Sequence, residues 1–137
     1  MLRANYFLRL FCYPTEDPEK VKKLLEILGI EDYTVQQVEE AFGLPMYIFS
    51  ASSSSGKKVK ELLKKILELA EDKQAFLERL KDFYDEKGGA CYLRLDKQEL
   101  FKYRKAKLVS HGDVVHIKIK FVSPRKLEEF LQQVLQD

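Results

Sequence analysis

Cysteine and histidine are scarce in this chain: Cys12, Cys91, His111 and His116 are the whole complement. The cysteines lie far apart, and the histidines lack the spacing that sets two ligands on one helix face. A zinc site is therefore not expected. Each cysteine borders an apolar alternation and reads as a small buried hydrophobe rather than half of a disulfide. Long hydrophobic runs are missing as well. No stretch approaches the ~20 apolar residues of a membrane-spanning helix. The opening residues Met1 to Tyr6 lack a signal-peptide pattern, because the apolar stretch there is short and broken by Arg9. The expectation is a cytoplasmic protein with no membrane contact. No carboxylate or nucleophile recurs beside His116, so acid–base catalysis has no support, and neither catalytic residues nor a cofactor are expected.

Net charge is also small, +2 over 137 residues, but it is unevenly spread. Residues 90–126 hold ten Lys and Arg against Asp96, Glu99 and Asp113. The flanking segments are both net acidic. Concentrated positive charge is what a polyanion-binding face needs, and RNA is the commonest polyanion partner. An apolar content of 45% with 34% charged residues suits a globular chain rather than a disordered one. Residues 1–137 read as a single domain.

Alternation marks the strands. In 5–13, Tyr6, Leu8, Leu10 and Cys12 share one face, while Phe7, Arg9, Phe11 and Tyr13 share the other. Met46 to Ala51 is aromatic and β-branched. Two further strands are read at 91–98 and 113–120. In the second of these, Val115, Ile117 and Ile119 oppose His116, Lys118 and Lys120. Helices are expected after Asp17-Pro18, ending at Gly29, and after the Ser52–Gly56 loop. A third is expected with Phe76, Leu77, Leu80, Phe83 and Tyr84 on its buried stripe. A last one starts at Ser123-Pro124 and buries Leu127, Phe130, Leu131 and Val134. Residues 31–42 fit either a helix or a strand. These elements do not alternate strictly between strand and helix. They therefore predict an α+β fold, a mostly antiparallel sheet packed against helices.

Ser50-Ala-Ser-Ser-Ser-Ser-Gly-Lys-Lys58 follows a strand and opens a helix, as a phosphate loop does. However, Ala51 replaces the first glycine and Lys58 the magnesium-binding hydroxyl. Nucleotide hydrolysis is not expected, although Lys57 and Lys58 at a helix N-terminus could contact one phosphate. The basic run Lys102-Tyr-Arg-Lys-Ala-Lys107 reads as a loop or edge strand. It joins Arg94, Lys97, His116, Lys118 and Lys120 in an RNA-binding set, on the expectation that all face one way from adjoining strands. Phe7, Phe11, Tyr13 and Arg9 on one strand face allow three readings: core, subunit interface, or base stacking.

A family resemblance rests on Phe11-Cys-Tyr-Pro-Thr-Glu-Asp17, Gly43-Leu-Pro-Met-Tyr-Ile48, Tyr92-Leu-Arg-Leu-Asp-Lys-Gln98 and Gly112 to Lys120. Over nearly its whole length the chain resembles an archaeal family of RNA-binding proteins related to predicted exosome subunits. Leu93 to Gln98 is the most specific part and Thr15-Glu16-Asp17 the next. The chain departs from the family at Pro14, at Leu44 (where the family has Asn) and at Glu99 to Phe101. The resemblance implies a fold similar to the large-subunit ribosomal protein that binds 5S RNA, a strand over 33–42, and dimers. The expected function is non-enzymatic RNA binding through the basic C-terminal strand region. The expected partner is structured RNA, either ribosomal or a processing substrate, with a homodimer and exosome components as further partners. The competing reading is a protein-interaction or dimer scaffold with no RNA affinity of its own.

Overall fold

The alternation of the N-terminal segment becomes β1 (Ala4–Cys12) in the computed structural model of the protein. Residues 4–39, 43–85, 89–121, 129 and 131–133 are described. Tyr6, Leu8, Leu10 and Cys12 are buried while Phe7 and Arg9 are exposed, as one-sided packing of a strand requires. Asp17 caps α1 (Pro18–Ile27), its carboxylate accepting from the Glu19 N–H at 3.0 Å, with Pro18 at the first helical position. The helix closes at Gly29, where φ is +77°. The Gly29 N–H donates to the Glu26 carbonyl and the Ile30 N–H to the Leu25 carbonyl, both at 2.9 Å. This pair of reversed bonds needs a left-handed residue, hence glycine.

The ambiguous segment is a strand, β2 (Thr34–Glu39), and its last expected residues, 40–42, lie outside the described ones. β3 (Pro45–Ser53) runs further than expected and takes up Ser52 and Ser53. Ser55 then caps α2 (Gly56–Leu69), accepting from the Lys58 N–H. Asp72 caps α3 (Lys73–Lys81) through two backbone N–H bonds of 3.1 Å. Here the sequence reading needs correcting. Phe83 and Tyr84 do not extend this helix. β4 (Tyr84–Asp85) pairs with β5 (Ala90–Asp96), setting Tyr84 opposite Cys91, so the sheet claims a backbone that helical period alone would have continued.

A second correction concerns the basic run, which is divided. Arg104 to Lys107 form a loop, as expected, while Lys102 and Tyr103 close a helix that was not expected. Asp96 caps α4 (Lys97–Tyr103), accepting from the Glu99 N–H at 3.0 Å, and Arg104 ends the helix in the left-handed conformation. The chain then returns along β5 through a single bridge, Leu95 to Leu108, and enters β6 (Val114–Phe121). Of the last expected helix, residues 129 and 131–133 are helical and Leu131 is buried; Leu127, Phe130 and Val134 fall outside the described residues.

The strands form one antiparallel sheet in the order β2-β3-β1-β6-β5-β4. The fold is α+β, with the helices packed against one sheet face. The core joins Leu8, Leu10, Phe49, Leu93, Leu95, Val115, Ile117 and Ile119 of the sheet to Leu24, Leu25, Leu63, Ile66, Leu80 and Leu100 of the helices. Both cysteines are buried and free, as expected. The Cys91 thiol donates to the Leu80 carbonyl, and burial pushes its pKa up to about 12. Among the described residues no helix is long and apolar enough to cross a membrane.

Candidate nucleic-acid interface

Strand register decides which side chains meet on the face away from the helices. Phe7 lies opposite Ser52 on one side and Lys118 on the other, and Lys118 lies opposite Tyr92. The row Ser52, Phe7, Lys118, Tyr92 thus crosses four strands. The next row runs Thr34, Ser50, Arg9, His116, Arg94 across five. Asn5 and Lys120 pair at one end of the face, and Phe11 sits opposite Ile48 at the other. Successive rows are ~6.7 Å apart along the strands.

These rows floor a trough of about 770 Å³ walled on the β2 side by Glu31, Asp32 and Tyr33. Phe7 is 51% exposed within it. Of the three readings of the β1 aromatic face, core packing is therefore excluded for Phe7. Phe11 is half-buried, with its ring edge-on to His116 at 5.9 Å and stacked near Tyr13 at 6.3 Å. Among the described residues, none of Arg9, Arg94, Lys118 and Lys120 is held in an ion pair. The Lys118 ammonium sits 5.7 Å from the centre of the Tyr92 ring. Burial, then Arg94 and Arg9, push the His116 pKa below its ordinary value, opposed by Asp113. His116 is therefore a neutral hydrogen-bonding group at neutral pH.

Arg94, His116, Lys118 and Lys120 are thus brought together, and Arg9 joins them from β1. Tyr92 was not anticipated, and Phe7 and Arg9 stood outside the expected cation set, with base stacking only one of three readings of their face. Their signal was the same alternation that marked the strands, but only the pairing of β1 with β6 shows that they share a face with the lysines.

The other expected residues lie elsewhere. Lys97 is fully buried. Its ammonium lies 2.9 Å from Glu16 Oε1, 3.0 Å from Asp113 Oδ1 and 2.9 Å from the Phe11 carbonyl oxygen. With its charge met and its surface covered, it cannot reach a phosphate. Lys102 and Arg104 are at the end of α4, and Lys105 pairs with Glu71 at 3.3 Å. The Ala106 N–H donates to the Leu69 carbonyl, which ties this run to the end of α2 in the helical layer. Lys107 follows beside the end of β5, where its carbonyl accepts from the Asp96 N–H. Lys102 to Lys105 therefore do not lie with the strand cations as expected, because α4 turns the chain away from the sheet before it returns beside β5 at Lys107. Lys57 and Lys58 are exposed in the first turn of α2, also outside the trough lining. Among the described residues no group of His, Cys, Asp and Glu is placed to hold a metal ion.

Comparison with known proteins identifies the family. A family model described as RNA binding matches residues 7–121. The chain is 31% identical over 140 residues to the RNA-binding protein PAB1135 of Pyrococcus abyssi, covering 95% of this chain and 90% of that one. Among solved structures, Mth689, a DUF54 protein from Methanothermobacter thermautotrophicus, is 27% identical with a TM-score of 0.72, covering 99% and 98% of the two chains. The protein SSO0741 from Sulfolobus solfataricus, 24% identical with a TM-score of 0.76 over 96% and 98%, shares the fold. The chain belongs to this archaeal RNA-binding family.

Proposed function

We propose that the protein binds RNA without turning it over, through the open face of its sheet. One observation carries this reading. Arg9, Arg94, Lys118 and Lys120 come from three adjacent strands, and none is neutralised by a described carboxylate. A rigid sheet holds such cations in fixed register against phosphates, which positions RNA without reading its sequence. The proposed site differs from the basic C-terminal region as a whole: the strand cations belong to it and the 102–107 run does not. Structured RNA, ribosomal or a processing substrate, is the proposed ligand, with exosome components as proposed partners.

The test is RNA binding across a salt series. Changing Arg9, Arg94, Lys118 and Lys120 together to Gln should reduce the slope of log K against log salt by about 3 units, at ~0.7–0.9 per phosphate contact. Changing Lys102, Arg104, Lys105 and Lys107 together should leave most of it. Equal losses from both sets would point to diffuse attraction and sink the reading.

The scaffold alternative is favoured by a different feature. Val35 on edge strand β2 and Leu44 just before β3 are exposed, and Thr34–Glu39 contains neither lysine nor proline to discourage pairing with another chain. A homodimer formed there predicts a doubled mass in light scattering that falls to the monomer on Val35→Lys.

A further inference from the structure

We propose that the open sheet face takes unpaired RNA, with Phe7 and Tyr92 as the platforms on which bases stack. The inference rests on the RNA-binding reading above and names the form of RNA that the face fits.

Phe7 lies on β1, the third of six strands. An aromatic so central to a sheet is ordinarily covered, yet Phe7 is exposed and lines the trough. Burying it against a base would remove apolar surface from water and add ring–ring attraction. Tyr92 stands two strands away, roughly 10 Å across the sheet, with Lys118 between them in the same row. That separation is too wide for one base to bridge, so each ring serves its own base, and the Lys118 ammonium, which lies over the Tyr92 ring in the free protein, swings off it to meet the intervening phosphate. Arg9 and Arg94 in the next row supply the flanking charges.

The trough is also polarised. Glu31 and Asp32 line its β2 side, while Arg94 and Lys118 line the opposite one. A phosphate chain avoids the carboxylates and tracks over β6 and β5. Base edges then point toward β1 and β3, where the Ser50 and Ser52 hydroxyls offer hydrogen bonds. A duplex fits this floor poorly. Its base faces are stacked inside the helix, and it presents phosphates and 2′-hydroxyls to a protein. Rings set among the floor residues would find nothing to stack on. In a structured RNA the matching elements are loops, bulges and ends.

The experiment measures fluorescence anisotropy with a labelled, unstructured RNA of about 12 nucleotides, a length within the usual single-strand site range. A blunt duplex of the same sequence and a salt series for each serve as comparisons. The expected result is at least tenfold tighter binding of the single strand. Phe7→Ala should weaken single-strand binding by roughly tenfold or more, the scale of one lost stacking contact, while leaving the salt slope and the duplex affinity unchanged. Phe7→Tyr should restore binding. Because Phe7 is exposed, a circular dichroism spectrum of the alanine variant should match the parent. Equal affinity for strand and duplex, or an alanine variant that binds the strand as well as the parent, would overturn the proposal. In that event Arg94→Gln with Lys118→Gln separates the two readings. A flattened salt slope keeps the electrostatic face and rejects stacking; an unchanged slope, or no binding at all, rejects both.

Discussion

A lysine without exposed surface is costly unless its charge is met. Lys97 is met from three directions, by Glu16, Asp113 and the Phe11 carbonyl, and its ammonium also lies 5.4 Å from the centre of the Tyr13 ring. Lys97→Met should therefore cost about 3 kcal/mol, the scale of breaking a buried pair and leaving a carboxylate behind, read as a lower midpoint in urea with an unchanged slope. RNA affinity of the folded fraction should be preserved. Nothing local in the sequence separates this lysine from a surface one, because Glu16 and Phe11 lie far away in the chain. Glu16, Asp17 and Asp96 carry structural roles: Glu16 pairs with Lys97, Asp17 caps α1 and Asp96 caps α4. His116 acts differently. Its folded pKa lies below the ordinary value near ~6.5, so the unfolded chain takes up the proton first as pH falls. Its contribution to stability is intact above the unfolded value and is lost as pH drops toward the folded one. His116→Gln should remove that part of the decline, visible as a wild-type-minus-variant difference that changes below about pH 6.5 and is flat above it.

Elements were legible where one chemical signal dominated. Alternation marked β1, β5 and β6, and Asp17-Pro18 marked the start of α1. α4 was not legible: it is seven residues long, its buried residues are Lys97 and Leu100, and it runs into a basic stretch that suggested a solvated loop. β4 was hidden because Phe83 and Tyr84 continue the helical spacing of α3 while the partner strand that claims them comes later in the chain. α4 ends at Arg104 with φ of 55°, a conformation that costs a side-chain-bearing residue and suits glycine. Arg104→Gly should therefore be neutral or stabilising by up to about 1 kcal/mol in thermal or urea denaturation. It also removes a cation that lies outside the proposed RNA face, so the affinity at fixed salt should change little. A large loss of binding would return the basic run to the site.

At the scale of the whole molecule, the concentration of charge in 90–126 was legible and its division was not. Some of those cations stand on the open face, Lys97 is buried, Lys102 to Lys105 lie with α4 and the end of α2, and Lys107 lies beside the end of β5. That division depends on β1 lying beside β6, a pairing between opposite ends of the chain that no local pattern encodes. The same adjacency has a consequence for how the protein assembles. β2, β3 and β1 form one half of the sheet and β6, β5 and β4 the other, and the seam between halves runs from Ala4 against Phe121 to Arg9 against His116. Closing such a seam requires nearly the full length of the chain to be gathered first, which slows folding toward the millisecond-to-second range of non-local β topologies. Phe7 and Arg9 stand on one side of the seam and Lys118 on the other. In a stopped-flow refolding experiment, capture of labelled RNA should therefore appear with the slowest phase, after helical signal has already returned. A nascent chain would acquire its ligand only once β6 had docked against β1.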